Sequence, residues 1–123
     1  MIRNFEVDKN YDYSLDICTI TVKDDFNFGK SLEIEDGVIL DFDENNIPIS
    51  IEILDISLRL GVKKSEIKSS DVSMKILCSE DILEITIDFY YKIEEKEFNQ
   101  TFDSKIVNKF NIPSMQLASV DSF

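Results

Sequence analysis

Asp41, Asp43, Asn45 and Glu52 stand at positions 1, 3, 5 and 12 of a calcium-loop spacing, a set of oxygen donors that could surround a hard cation. Such a loop needs a glycine at position 6 and a helix on either side. Asn46 occupies position 6, and both flanks alternate apolar and polar residues as strands do. Extended residues from 47 to 52 carry Glu52 about 16 Å from the turn, too far to close a cage. Asp41, Asp43 and Asn45 stay as weak metal candidates at an acidic turn. Asp24-Asp25 and the pair Glu33 and Glu35 are the other carboxylates with acid–base potential, but neighbouring strand residues diverge and exposed acids keep ordinary pKa values. Histidine is absent, three glycines leave no phosphate-cradling loop, and nothing in sequence activates Cys18 or Cys78. The expectation is a protein without catalytic residues or cofactor, with an unrecognised hydrolase as the residual reading.

Charge narrows the partner classes. Twenty-five acidic against 13 basic residues give a net charge of -12, which repels nucleic-acid backbones and anionic membranes. The excess is uneven, with 14 acids and 5 bases in residues 1–61 but 11 and 8 in residues 62–123. A chain of 123 residues that is 43% hydrophobic can build a core, and no stretch approaches the roughly 20 apolar residues of a membrane span. Glu6 and Arg3 interrupt the start where a signal peptide would be apolar, so a cytoplasmic protein is expected. Cys18 and Cys78, 60 positions apart in apolar surroundings, read as buried thiols.

These acids need strands to hold them. Val38, Leu40 and Phe42 alternate with Asp41 and Asp43, Glu44-Asn45-Asn46 reverses the chain, and Ile47, Ile49, Ile51 and Ile53 alternate with Pro48, Ser50 and Glu52, which is a hairpin. Asp55–Leu60 forms a short helix stopped by Gly61, and residues 62–71 read as a polar linker. Leu83, Ile85, Ile87, Phe89, Tyr91 and Ile93 form one face of a long strand. Phe98, Phe102, Ile106 and Phe110 share a face after the reversal at residues 94–97 and read as core in preference to a ligand-binding aromatic box. The tail from 112 to 123 either completes the core or stays free.

The second half echoes the first. Residues 81–87 resemble 16–22, residues 106–110 resemble 38–42, and Asn111-Ile112-Pro113 resembles Asn46-Ile47-Pro48, in the same order. A degenerate internal repeat follows, with units at 1–61 and 72–123 inside one compact domain. The expected fold is all-β and mainly antiparallel with one helix near 55–60. Two four-stranded meanders pack as a sandwich or barrel-like core, because one meander of about 60 residues buries only one face.

Residues from about 5 to 61 also resemble a small prokaryotic family, domain of unknown function 2283. The resemblance rests on Tyr11-Asp12, Asp16-Ile17, Glu33-Ile34-Glu35, the run from Gly37 to Asn45, Ile51-Glu52-Ile53-Leu54 and Leu58-Arg59-Leu60-Gly61. Asn46 stands where the family usually has the turn glycine, and Ser50 replaces the glycine before Ile51. The resemblance implies a fold and no catalytic or ligand residues.

Two functions stay open. One is an acidic interaction or regulatory module that docks a basic protein through Glu33, Glu35, Asp41, Asp43 and Glu52, as a monomer or weak homodimer. The other is a small-ligand or divalent-cation binder using the turn from Asp41 to Asn45.

Overall fold

Alternating side chains divide each strand into an apolar and a polar face, and the computed structural model, which describes residues 2–119, pairs the apolar faces of two sheets. The first sheet holds β2 (Val7–Asp12), β3 (Ile17–Val22), β4 (Phe28–Glu35), β5 (Val38–Asp43) and β6 (Pro48–Leu54) in the order β2-β3-β6-β5-β4. The second holds β1 (Ile2–Phe5), β7 (Asp71–Cys78), β8 (Ile82–Ile93), β9 (Lys96–Val107) and β10 (Met115–Ser119) in the order β1-β10-β7-β8-β9. The protein is mainly antiparallel β with sandwich-like packing. Ile20, Leu40, Phe42, Ile51 and Ile53 from one sheet meet a core shared with Ile76, Leu83, Ile85, Ile87 and Phe89 from the other, all at most 1% exposed.

The expected hairpin is present. Val38, Leu40 and Phe42 point inward opposite Ile53 and Ile51, and Pro48 opens β6 where its missing donor costs least. Asn46 adopts φ 65, which an asparagine tolerates in place of glycine.

Four details differ from the sequence reading. Among the described residues each sheet has five strands, and the first is no simple meander: β3 lies against β6, so residues 23–27 carry the chain past β6 and β5 to the far edge. β1 lies in the opposite sheet from the rest of its predicted unit, parallel to β10 from Ile2↔Gln116 to Phe5↔Ser119. The chain changes sheets at Glu6, whose carbonyl accepts from Lys23 N at 2.8 Å.

The predicted linker contains a second helix. After α1 (Ile56–Leu60) comes α2 (Lys64–Ser69), whose one buried residue, Ile67, is too little apolar signal to show periodicity. Gly61, at φ 68, ends α1, and Val62 N reaches back to Ser57 O at 3.0 Å. Finally, the predicted apolar faces of the second sheet run out at their ends. Phe102 is buried, but Ile93 and Phe98 are exposed at the turn, and Phe110 lies beyond β9. In the tail, Met115 and Leu117 are buried in β10. Val120 and Phe123 lie outside the described residues.

The β8–β9 turn is costly. Ile93 pairs with Lys96 across two residues, and Glu94 (φ 49) and Glu95 (φ 71) are both left-handed, the two-residue geometry that favours Asn-Gly. A side chain there costs roughly 1–2 kcal/mol per residue, and two adjacent carboxylates repel. Glu94→Asn combined with Glu95→Gly should therefore raise stability by about 1–2 kcal/mol, read as a higher urea midpoint. An unchanged or lower midpoint would contradict the strain.

Candidate functional site

The polar face of the first sheet gathers acids from four of its strands. The register aligns Asn10, Thr19, Glu52, Ile39 and Glu33 in one row across all five strands, and Asp8, Thr21, Ser50, Asp41 and Ser31 in the next. With Asp12 on β2, five carboxylates share this face, at Asp8, Asp12, Glu33, Asp41 and Glu52. None of these positions is Lys or Arg. The basic residues of this sheet lie elsewhere. Lys9 points inward opposite Ile20, Lys30 lies over the Phe42 ring at 5.5 Å, and Lys23 sits at the rim with its ammonium 3.2 Å from Asp8. That last pair is exposed and worth little. Half-buried Ile39 sits between Glu33 and Glu52 and gives the face an apolar centre.

By contrast, the outward positions of the second sheet mix signs. Lys75, Lys92 and Lys105 lie among Asp71, Glu84, Asp88, Glu97 and Asp103. Part of the charge asymmetry between the halves is thus an asymmetry between two faces.

Three of the five expected partner residues, Glu33, Asp41 and Glu52, are brought together. Glu35 lies beyond a bulge in β4, opposite Val38. Asp43 is used by its own turn, where Oδ1 accepts from Asn45 N at 2.8 Å and Ile47 N at 2.9 Å. The same geometry removes the calcium spacing. Asp41 accepts from the Ser31 hydroxyl across the sheet, Asp43 closes the turn, and Glu52 lies on the neighbouring strand opposite Ile39. Among the described residues no group of three acid, histidine or cysteine side chains comes together to hold a metal.

The polar groups with the most built surroundings were not read from sequence as candidate site residues. Asp16, 6% exposed and at φ 56, accepts from the Tyr11 hydroxyl at 2.6 Å, the Ser57 hydroxyl at 2.6 Å and Ser57 N at 3.2 Å. Burial pushes its carboxyl up, but the bonds from Ser57 and Tyr11 outweigh this and hold it below the usual range. Tyr11 is pushed up, first by burial and then by its bond to Asp16. Lys9 caps α2, its ammonium donating to Ile67 O at 2.7 Å, Lys68 O at 3.1 Å and the Ser70 carbonyl. Asn46 Nδ2 donates to Asn111 O at 2.7 Å and Phe110 O at 3.2 Å, tying the acidic turn to the second half. A tyrosine five residues before an acid, across a tight turn, was the one available signal for the Asp16 cluster.

Both thiols are free and buried. Burial pushes Cys18 up to about 12 and raises Cys78, so neither is a ready nucleophile. A groove of about 650 Å³ lies at the hairpin end of the second sheet, where Tyr91 and Phe98 stack at 5.7 Å beside Asp71, Lys92 and Glu97. Tyr91 and Phe98 belong to the inner face of the sheet, whereas Asp71, Lys92 and Glu97 occupy outward positions.

Two outcomes test this assignment. Asp16→Asn should cost about 1–3 kcal/mol at pH 7, because Tyr11 and Ser57 lose a charged acceptor. The folded-state pKa of Asp16 lies below its unfolded value, so its stabilisation is present above about pH 4 and lost as pH falls through the folded value. The gap between wild type and variant in urea unfolding should shrink below that pH, and a gap independent of pH would refute the charged assignment. Separately, millimolar calcium should leave the wild-type Tm unchanged, since a cation that binds only the folded form must raise it.

Comparison with known proteins places these features. The matching family is described as protein of unknown function (DUF2283), and its match covers residues 10–57, from β2 to the first turn of α1. No curated protein and no solved structure matches the chain. Among the described residues no helix is long and apolar enough to cross a membrane. The matched span holds Tyr11, Asp16, Ser57 and the whole hairpin, and over residues 10–57 the chain is similar to the DUF2283 family.

Proposed function

We propose that this chain is a non-catalytic interaction module whose first sheet docks a basic protein partner. The observation that carries the reading is the outward face bearing Asp8, Asp12, Glu33, Asp41 and Glu52 around Ile39, with no basic residue among its aligned positions. Like charges on adjacent strands raise the energy of the free face, and a partner bearing Lys or Arg relieves that repulsion as it docks. Ile39 supplies the small apolar contact that becomes useful once water is excluded. The buried, protonated thiols and the fully hydrogen-bonded Asp16 support a role other than catalysis, and free thiols suit a reducing, cytoplasmic setting. The echo of the first half in the second suggests that the module arose by duplication. On this reading the acidic face then stayed with one copy.

The reading predicts a salt-sensitive complex. Wild-type protein immobilised at low salt should retain a basic protein from source lysate and release it as salt approaches 1 M, where the screening length falls to about 3 Å. A triple variant, Glu33→Gln, Asp41→Asn and Glu52→Gln, should keep the wild-type Tm and lose the same protein. Equal retention by both, or no salt-sensitive retention, would sink the proposal.

A further inference from the structure

We propose that β9 is a self-pairing edge, through which two copies of this chain join antiparallel into one continuous ten-stranded sheet. The inference concerns the second sheet and is independent of the acidic face.

β9 is twelve residues long, against about 5–6 for an ordinary strand, and among the described residues it pairs only with β8. Its register with β8 runs unbroken from Ile93↔Lys96 to Ile82↔Val107. A two-residue turn makes its closing pair a hydrogen-bonded one, and in an antiparallel ladder such pairs alternate with non-bonded pairs. Counting from Lys96, residues 98, 100, 102 and 104 bond to β8. The backbone N–H and C=O groups of Glu97, Asn99, Thr101, Asp103 and Lys105 therefore point off the free edge.

Those five residues match their own reverse. In an antiparallel pair centred on Thr101, Thr101 faces Thr101, Asn99 faces Asp103, and Glu97 faces Lys105 twice. Each of these is a hydrogen-bonded position, so the backbone geometry and the charge pattern agree on one register. On the inner side the same register sets Phe98, 40% exposed, opposite Ser104, and half-buried Gln100 opposite Phe102. The remaining edges are guarded. β1 has four residues, β2 presents Asp8 and Asp12 with no base among its own outward positions, and β4 carries two register breaks with Glu33 and Glu35. β9 combines length, unbroken register and both signs of charge. One added strand pair is a small interface, so the dimer is weak and concentration-dependent.

Light scattering on size-exclusion fractions and sedimentation velocity across a concentration series should show the full chain passing from monomer to dimer. Glu97→Lys or Lys105→Glu alone sets like charges opposite each other twice and should weaken the dimer about tenfold. The double variant Glu97→Lys with Lys105→Glu should restore it. Thr101→Pro removes a donor that faces away from β8, so it should abolish the dimer while leaving the hairpin paired. If Thr101→Pro also lowers the Tm, the charge-swap set decides. A chain that is monomeric throughout, a dimer that persists in folded Thr101→Pro, or single variants that the swap does not rescue would each overturn the proposal, the latter two pointing to another interface.

Discussion

A sheet with one apolar face cannot stand alone in water, and each of the two sheets here is the other's cover. Every inward row depends on that arrangement, from Ile20, Ile51 and Leu40 in the first sheet to Ile76, Ile85 and Phe89 in the second. Burial at about 25 cal/mol per Å² acts only where both faces meet, so neither half gains it separately. The outward faces are then free of structural duty. This is why one can become uniformly acidic and the other mixed without disturbing the core.

Polar groups at the seam turn mutual cover into one particular arrangement. Lys9 reaches from β2 to the end of α2, Asp16 binds the start of α1 through Ser57, and Asn46 reaches the loop after β9. Lys9 and Asp16 would lose hydrated partners on burial and recover them only when the correct protein groups arrive, whereas Asn46 is matched through Nδ2 and leaves its buried Oδ1 without a partner among the described residues. For Lys9, burial lowers the ammonium's pKa while Cys18 and Asp71 raise it, and three carbonyl oxygens accept from it. Arg59 plays a similar part within the first half, donating to Leu54 O at 2.7 Å and to the Asp36 carbonyl across the turn at Gly37, which is left-handed at φ 76.

Legibility followed the range of the interaction. The hairpin from β5 to β6 and the inward face of β8 were readable because period-2 alternation and an asparagine turn are local properties. Strand order was not. Nothing along β3 says that its neighbour is β6, because alternation describes faces and carries no label for partners. α2 was hidden because a single buried Ile67 makes no period. The calcium spacing could be set aside from sequence for a related reason: positions 1, 3, 5 and 12 surround an ion only when the backbone coils, and on strands they spread over two neighbours. Asp16 was hidden among 25 acids because burial is set by Tyr11 and Ser57 on other elements. The acidic face lay between these cases. Its residues were legible one by one, and their alignment required the register.

The pairing of β1 with β10 has a consequence in time. These strands are over a hundred residues apart in sequence, and β10 lies between β1 and β7. During synthesis β7, β8 and β9 can zip as successive hairpins, while β1 waits for a neighbour that leaves the ribosome late. Closing so long a loop is slow relative to hairpin formation. The final event of folding is thus the insertion of β10 into a gap with β7 on one side and β1 on the other. Until then β1 is an open strand tethered to a sheet already formed, and a nascent chain stalled before Met115 would be vulnerable there.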